Sequence, residues 1–175
     1  TTRPETIFAD VAVAVNPNDK RYKNCIGKIA TIPLINKPIP ILSDNSVDKE
    51  FGTGALKITP SHDFTDYAIG QKHQLPQLVC IDTNGKLINV PEKYTGLTVF
   101  SGRKAVIEDL KNEKKLIKEI PHTHTIDTCY RCNTVIEPML IPQWYVKTKT
   151  FAQPAIKAIK TGKTKIVPKK RFEKM

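Results

Sequence analysis

Phe51-Gly-Thr-Gly-Ala-Leu-Lys-Ile-Thr-Pro-Ser-His-Asp-Phe-Thr-Asp66 packs two glycines, a lysine, a histidine and two aspartates into sixteen residues, between a stretch that suits a strand and one that suits a helix. Lys57 and Thr59 fall on one face of an extended chain, because side chains alternate with period two. Gly52 and Gly54 allow backbone to come close to a ligand. Asp63 is placed to cap the helix that His62 to His73 predicts, and Asp66 lies in its first turn. A cap accounts for Asp63 without any function. The competing reading is a carboxylate that takes the ammonium of an amino-acid ligand through a charge-assisted bond. His62 reads as a bystander beside the cap.

Outward from this stretch, short strand candidates outnumber helices. Ile7 to Val15 alternates, with Val11, Val13 and Val15 on one face, and Asn16-Pro-Asn-Asp19 then turns the chain. Lys28 to Leu34 and Pro38 to Leu42 are β-branched and interrupted by proline, which predicts strand ends or edges. Leu78 to Asp82 and Lys86 to Val90 flank Asn84-Gly85, a dipeptide suited to the positive backbone angles of a tight hairpin. Ser101 predicts the cap of a helix from Gly102 to about Lys115, with Ala105, Val106 and Leu110 inward. Pro4 disfavours helix at Arg3, so Thr1 to Thr6 is expected to be extended with its side chains splayed. The fold expected is mainly β with peripheral helices (α+β), built on a closed six-stranded, barrel-like sheet.

At 175 residues the chain is long enough to bury a real core as one domain. It begins at Thr1 rather than Met, and a piece of a longer protein is expected. The net charge of +11 is uneven: Val146 to Met175 carries ten Lys or Arg against Glu173 alone, leaving 18 basic against 16 acidic residues elsewhere. The body is nearly neutral and the tail is basic, either a solvated tail or a surface for phosphates. The expected division is a domain over 1–142 and a basic connector over 143–175. No apolar run approaches the roughly 18 residues of a membrane span, and no membrane partner is expected. Four cysteines, with Cys25 and Cys80 isolated and Cys129 and Cys132 in one Cys-x-x-Cys, do not resemble a secreted disulfide framework. A reducing, cytoplasmic setting is expected. One such pair is half of a tetrahedral zinc site. His122 and His124 complete it on paper only, and two reduced thiols near a turn is the plainer reading. No Ser-His-Asp arrangement, phosphate loop or nucleophile elbow is present.

Thr1 to Thr6 (TTRPET), Phe51 to Asp66 and His122 to Pro138 (HTHTIDTCYRCNTVIEP) together resemble the editing insertion of class I aminoacyl-tRNA synthetases, over nearly the whole chain. Lys57 with Thr59, His62-Asp63 and Gln143-Trp-Tyr-Val146 resembles the valyl branch more than the isoleucyl or leucyl branches. The resemblance implies hydrolytic proofreading of threonine esterified to tRNA(Val), and of threonyl-adenylate, without a cofactor for the editing step. A pocket shaped for valine cannot strongly reject an isostere that adds a hydroxyl, and the valyl enzyme is itself the standard illustration of that limit. It further implies that Asp63 holds the substrate ammonium and that Thr1, Thr2 and Arg3 surround the terminal adenosine and the ester. By the same resemblance, Phe51 packs on the adenosine, and Lys57, Thr59 and Asp66 form a polar wall for the threonine hydroxyl. The implied partners are the tRNA(Val) 3′ end and the remainder of a synthetase. A zinc in the full-length protein would use Cys129 and Cys132 with a Cys-x-x-Cys outside this chain. The rival is a non-catalytic RNA-binding barrel, which lacks interleaved aromatic and basic residues here.

Overall fold

A computed structural model describes residues 1–123 and 125–167. Pro4–Ala9 forms a 3-10 helix, correcting the expected extended lead-in. Arg3 stays non-helical (φ −129°), as the following proline demands, but Pro4 then starts the helix itself, because its fixed φ and missing N–H suit a first turn. The strand expected from Ile7 shrinks to β1, Ala12–Val15. Phe8 and Ala9 join one apolar cluster with Ile81, Leu87, Tyr94 and Val106, whereas Val11, Ala12 and Ala14 join a second with Ile58 and Ile69. Each fully buried large aliphatic side chain there contributes roughly 1.5–3 kcal/mol over exposure. Asp10 sits in sequence between the two clusters and is itself buried.

β2 (Ile29–Ile32), β3 (Lys37–Ser43) and β4 (Ala55–Ile58) complete one sheet in the order β2-β3-β1-β4. It is an open, mixed, four-stranded sheet: β1 runs parallel to β3, while β1–β4 and β2–β3 are antiparallel. The expected closed six-stranded barrel is therefore incorrect. β3, despite two prolines, is an inner strand. Its first half, Lys37 to Pro40, pairs with β2, and only from Ile41 does it pair with β1. The N–H of Ile41 goes to Lys28 on the β2 side, so by alternation Pro38 and Pro40 lack their N–H on the other side, where β1 does not yet reach.

The runs expected as the fifth and sixth strands form a turn rather than a ladder. Ile81 and Leu87 make an isolated bridge, and Lys86 bridges Thr98 instead of extending the hairpin. Gly85 alone of the Asn84-Gly85 pair has a positive φ, the Asp82 carboxylate accepts from the N–H groups of Asn84 and Lys86, and Asn89 (φ 54°) breaks the second run. α1 (Phe64–Lys72) starts at Asp63 as the sequence predicts. α2 spans Val99–Asn112 and is capped by Thr98, not Ser101. The Ser101 N–H donates to the Thr98 hydroxyl, so the Thr98 side chain supplies the cap and the helix begins three residues earlier than expected.

Residues 1–140 form one compact unit and residues from 141 a second. Among the described residues of the second, α3 (Thr148–Lys160) contains Pro154 and buries none of its side chains. No helix among the described residues is long and apolar enough to cross a membrane.

Candidate functional site

The strand pairing of β1 with β4 sets Val13 opposite Lys57 and brings the Lys57 ammonium back over the start of β1. Its three donors are spent on three acceptors: Thr6 Oγ1 at 2.8 Å, Asp10 Oδ1 at 2.9 Å and Thr59 Oγ1 at 2.5 Å. The Thr59 hydroxyl donates onward to Asp10 Oδ1 at 2.6 Å. The spacing-two reading of Lys57 and Thr59 thus places both in one network. Burial pushes the Asp10 carboxyl above the usual carboxylate range, against the opposing pull of Lys57.

Asp66 is buried under the same strand end, where Oδ2 accepts the Thr59 N–H at 2.8 Å. Its other oxygen has no partner among the described residues, and desolvation raises its pKa to about 6. Asp63 is exposed; Oδ1 accepts from the N–H groups of Thr65 (2.8 Å) and Asp66 (3.0 Å), and Oδ2 has no hydrogen-bond partner among the described residues. His62, in contrast, is structural. Burial lowers its pKa to about 4, Nε2 accepts the Cys80 N–H at 3.0 Å, and Nδ1 lies 3.4 Å from the Pro138 carbonyl. A neutral ring with both nitrogens engaged is no general base. Cys80, buried against it, has its thiol pushed up to about 12 by desolvation.

Arg3 lies at the centre of a second set of charges. Nη1 donates to the His62 carbonyl at 2.7 Å, Nη2 binds Glu137, and Nε lies 3.5 Å from Glu5. Desolvation raises the Glu137 pKa. A cavity of about 370 Å³ opens beside this region and is lined by Thr1, Thr2, Lys57 and Arg103. Of the residues expected in the site, Thr1, Thr2 and Lys57 share this cavity, and Thr59 and Asp66 join it through the Lys57 network. Arg3 is tied to the network through Thr6, whose hydroxyl donates to the Arg3 carbonyl. Phe51 is apart from them, two-thirds exposed, with its ring edge-on to His122 at 6.1 Å. Gly54 makes its close approach to protein, not ligand: a Cβ there would fall 2.5 Å from the Arg21 guanidinium.

Sequence reasoning took Glu5 and Thr6 only as part of the polar lead-in Thr1 to Thr6, and it missed Asp10, Arg103 and Glu137. Asp10 had a signal: an acid inside the apolar run IFADVAVAV, once buried, requires a cation. Glu5, fully buried, carried a weaker version of it. Cys129 and Cys132 stand on a small turn closed by the Thr128–Val135 bridge, and the Thr134 hydroxyl, its backbone and Cys129 lower the Cys132 pKa. Among the described residues no third His, Cys, Asp or Glu joins them; His124 lies outside the described residues.

The model of the family "Leucyl-tRNA synthetase, editing domain" matches residues 19–120, more than half of the chain. The chain therefore belongs to the editing domains of class I aminoacyl-tRNA synthetases, whose general role is hydrolytic proofreading. Within that family it stands close to the valine–tRNA ligases. It is 52% identical over 174 residues to that of Clostridium tetani, covering 99% of this chain and 20% of the relative. It is 53% identical over 175 residues to that of Carboxydothermus hydrogenoformans, covering 100% and 20%. The chain spans about a fifth of the length of these relatives. Two solved structures share the fold. One is the ternary complex of Agrobacterium radiobacter K84 agnB2 LeuRS with tRNA and LeuAMS (TM-score 0.51, 23% identity, 66% of this chain and 17% of that one). The other is GlLeuRS-CP1 (TM-score 0.55, 12% identity, 69% and 82%).

Proposed function

We propose that this domain hydrolyses the ester of threonyl-tRNA(Val), and the mixed anhydride of threonyl-adenylate, as the proofreading site of a valyl-tRNA synthetase. The observation that carries the reading is the open oxygen of buried Asp66 beside the saturated Lys57–Thr59–Asp10 network. A threonine hydroxyl can donate to that oxygen. Valine cannot, and would bury it unpaired at a cost of roughly 1–3 kcal/mol. Asp63 uses one oxygen as a cap and keeps the other for the substrate ammonium. Phe51, exposed and linked to the cavity only through its contact with His122, supplies an aromatic face for the terminal adenosine.

With His62 neutral and engaged and Cys80 a buried thiol, no side chain in this network is prepared as a covalent nucleophile. Water attacks the ester carbonyl carbon, the bond to the ribose oxygen breaks, that oxygen takes a proton, and threonine leaves as its carboxylate. Positioning and fixed charges lower the barrier. The tRNA 3′ end and the rest of the synthetase are the partners, and the setting is the cytoplasm. A zinc in the full-length protein would take Cys129 and Cys132 as two of its four ligands, with no part in this step.

The test compares deacylation of threonyl-tRNA(Val) and valyl-tRNA(Val) by the chain. Threonyl ester is expected to disappear much faster, and equal rates would overturn the proposal. Asp63→Ala is expected to lose about a hundredfold in rate by misplacing the ester, while the lost cap costs only about 1 kcal/mol in a urea melt. A variant that deacylates at the parent rate returns Asp63 to the role of a cap.

A further inference from the structure

The cavity wall contributed by α2 carries a charge that the proposed hydrolysis leaves unused. Arg103 projects from the start of α2 and grips Glu5 with two parallel bonds, Nε to Oε2 and Nη2 to Oε1, both 2.9 Å. Glu5 is fully buried, so this pair is anchored in the interior rather than on the surface. Beside Arg103, Gly102 lets α2 sit close on the buried Leu87, since a Cβ there would collide with a Leu87 methyl. The Phe100 ring lies 5.6 Å from the guanidinium carbon. Arg103 is thus fixed along one edge, and Nη1 makes no hydrogen bond among the described residues, although Glu137 acts on the guanidinium at longer range. The residue lines the cavity with Thr1, Thr2 and Lys57, and about 30% of its side chain remains accessible.

An arginine held by one edge presents the other edge of its fork to a second oxyanion, and it does not lose its proton. Lys57 cannot serve this role, since its three donors are already spent. Glu119 on the same lining is offset by Lys111 at 2.8 Å. Of the groups on an aminoacyl nucleotide, the ammonium is a cation and the hydroxyl and ester are neutral. Only the phosphate is an anion. We infer that Arg103, oriented by Glu5, binds the phosphate on the 5′ oxygen of the adenosine that carries the amino acid; this rests on the substrate reading proposed above. Both a tRNA 3′ end and an aminoacyl-adenylate carry such a phosphate.

Calorimetry on the chain tests this with an amide-linked, non-hydrolysable threonyl-adenosine, with and without a 5′-phosphate. The phosphate is expected to tighten binding to the parent roughly tenfold or more. Arg103→Gln is expected to abolish that increment, read within each variant as the ratio of its affinities for the two compounds. Because Arg103→Gln strands a buried carboxylate, Arg103→Lys and the double variant Glu5→Gln/Arg103→Gln are measured beside it. Lysine keeps the pair but loses the planar second edge, and a partial increment is expected. If the phosphate strengthens binding equally in the parent and in every folded variant, or not at all in the parent, the inference falls and the substrate reading stands. If the parent binds neither compound, both fall. Rates on threonyl-tRNA(Val) and on threonyl-adenylate then assign the source: a variant defect confined to one substrate identifies whose phosphate Arg103 holds.

Discussion

Asp10 and Asp44 are both buried and each takes a lysine Nζ at 2.9 Å, yet their carboxyls are displaced in opposite directions from the usual carboxylate range. Burial pushes both carboxyls up. At Asp44 four donors outweigh it: Ser46 N–H and Oγ on one oxygen, Lys72 and His73 on the other, holding the group well below the usual carboxylate range. At Asp10 both side-chain donors, Lys57 and Thr59, fall on the same oxygen, and burial prevails. Asp44 thus ties the turn after β3 to the end of α1 and has no capacity left. Asp10 falls between the two apolar clusters along the chain, and its network borders a cavity through Lys57. One cluster of Asp, Lys and a hydroxyl is a latch between two elements, and the other is closed on itself at the edge of a cavity, with a perturbed acid in it.

The largest test of that contrast is Lys57→Met. Removing the ammonium leaves Asp10 buried without its cation, which drives its carboxyl still higher and makes it hold a proton. A carboxyl with a raised folded pKa costs stability only where the unfolded chain would ionise it. The deficit is therefore absent below about pH 4 and grows as pH rises through the folded pKa. Roughly 3 kcal/mol is expected at pH 8, and less at pH 5, in urea melts. A loss that does not vary with pH would mean that Lys57 acts by packing alone.

Asp66→Asn comes next and carries the opposite sign. Desolvation holds the folded pKa at about 6, so the native state binds more protons than the unfolded chain between about pH 4 and 6. Stability falls across that window and the penalty persists above it. Asparagine removes the penalty and still accepts the Thr59 N–H. A gain of roughly 1–3 kcal/mol is expected at pH 7.5 and none at pH 3.5, since the width of that pH window bounds the effect. The open acceptor becomes a donor, and the threonyl-to-valyl ratio in deacylation is expected to fall about tenfold. A variant that is no more stable, or equally selective, would align Asp66 with Asp44 as a purely structural acid.

Much of this was legible in the chain's own pattern. The Asp63 cap, α1, and the shared face of Lys57 and Thr59 follow from local rules acting over a few residues. The closed barrel failed because counting β-branched runs does not reveal which runs find partners. The 78–90 segment does turn back at Asn84-Gly85, closed by the Ile81–Leu87 bridge, but the Asp82 side chain captures the turn and Asn89 leaves the extended region, so neither arm grows into a strand of the sheet. Asp10 and Arg103 depend on contacts 47 and 98 residues apart along the chain, and no local periodicity encodes them.

The smallest effect is expected from Lys72→Met, and it matters because Lys72 and Lys57 stand at the same distance from their aspartates. The Lys72 side chain is 59% exposed, against 20% for Lys57. Water and salt therefore screen the Lys72 pair, and ordering a long side chain offsets much of the attraction. Without Lys72, Asp44 still accepts twice from Ser46 and faces His73 Nε2 at 2.8 Å, so no oxygen is stranded. A loss below about 1 kcal/mol is expected at low salt, shrinking toward zero near 1 M salt, where the screening length is about 3 Å. Threonyl deacylation should be unchanged, because none of these groups lines the cavity. A salt-independent loss above about 2 kcal/mol would show that Asp44 leans on its lysine as Asp10 does, and the number of donors would no longer explain why the two acids titrate apart.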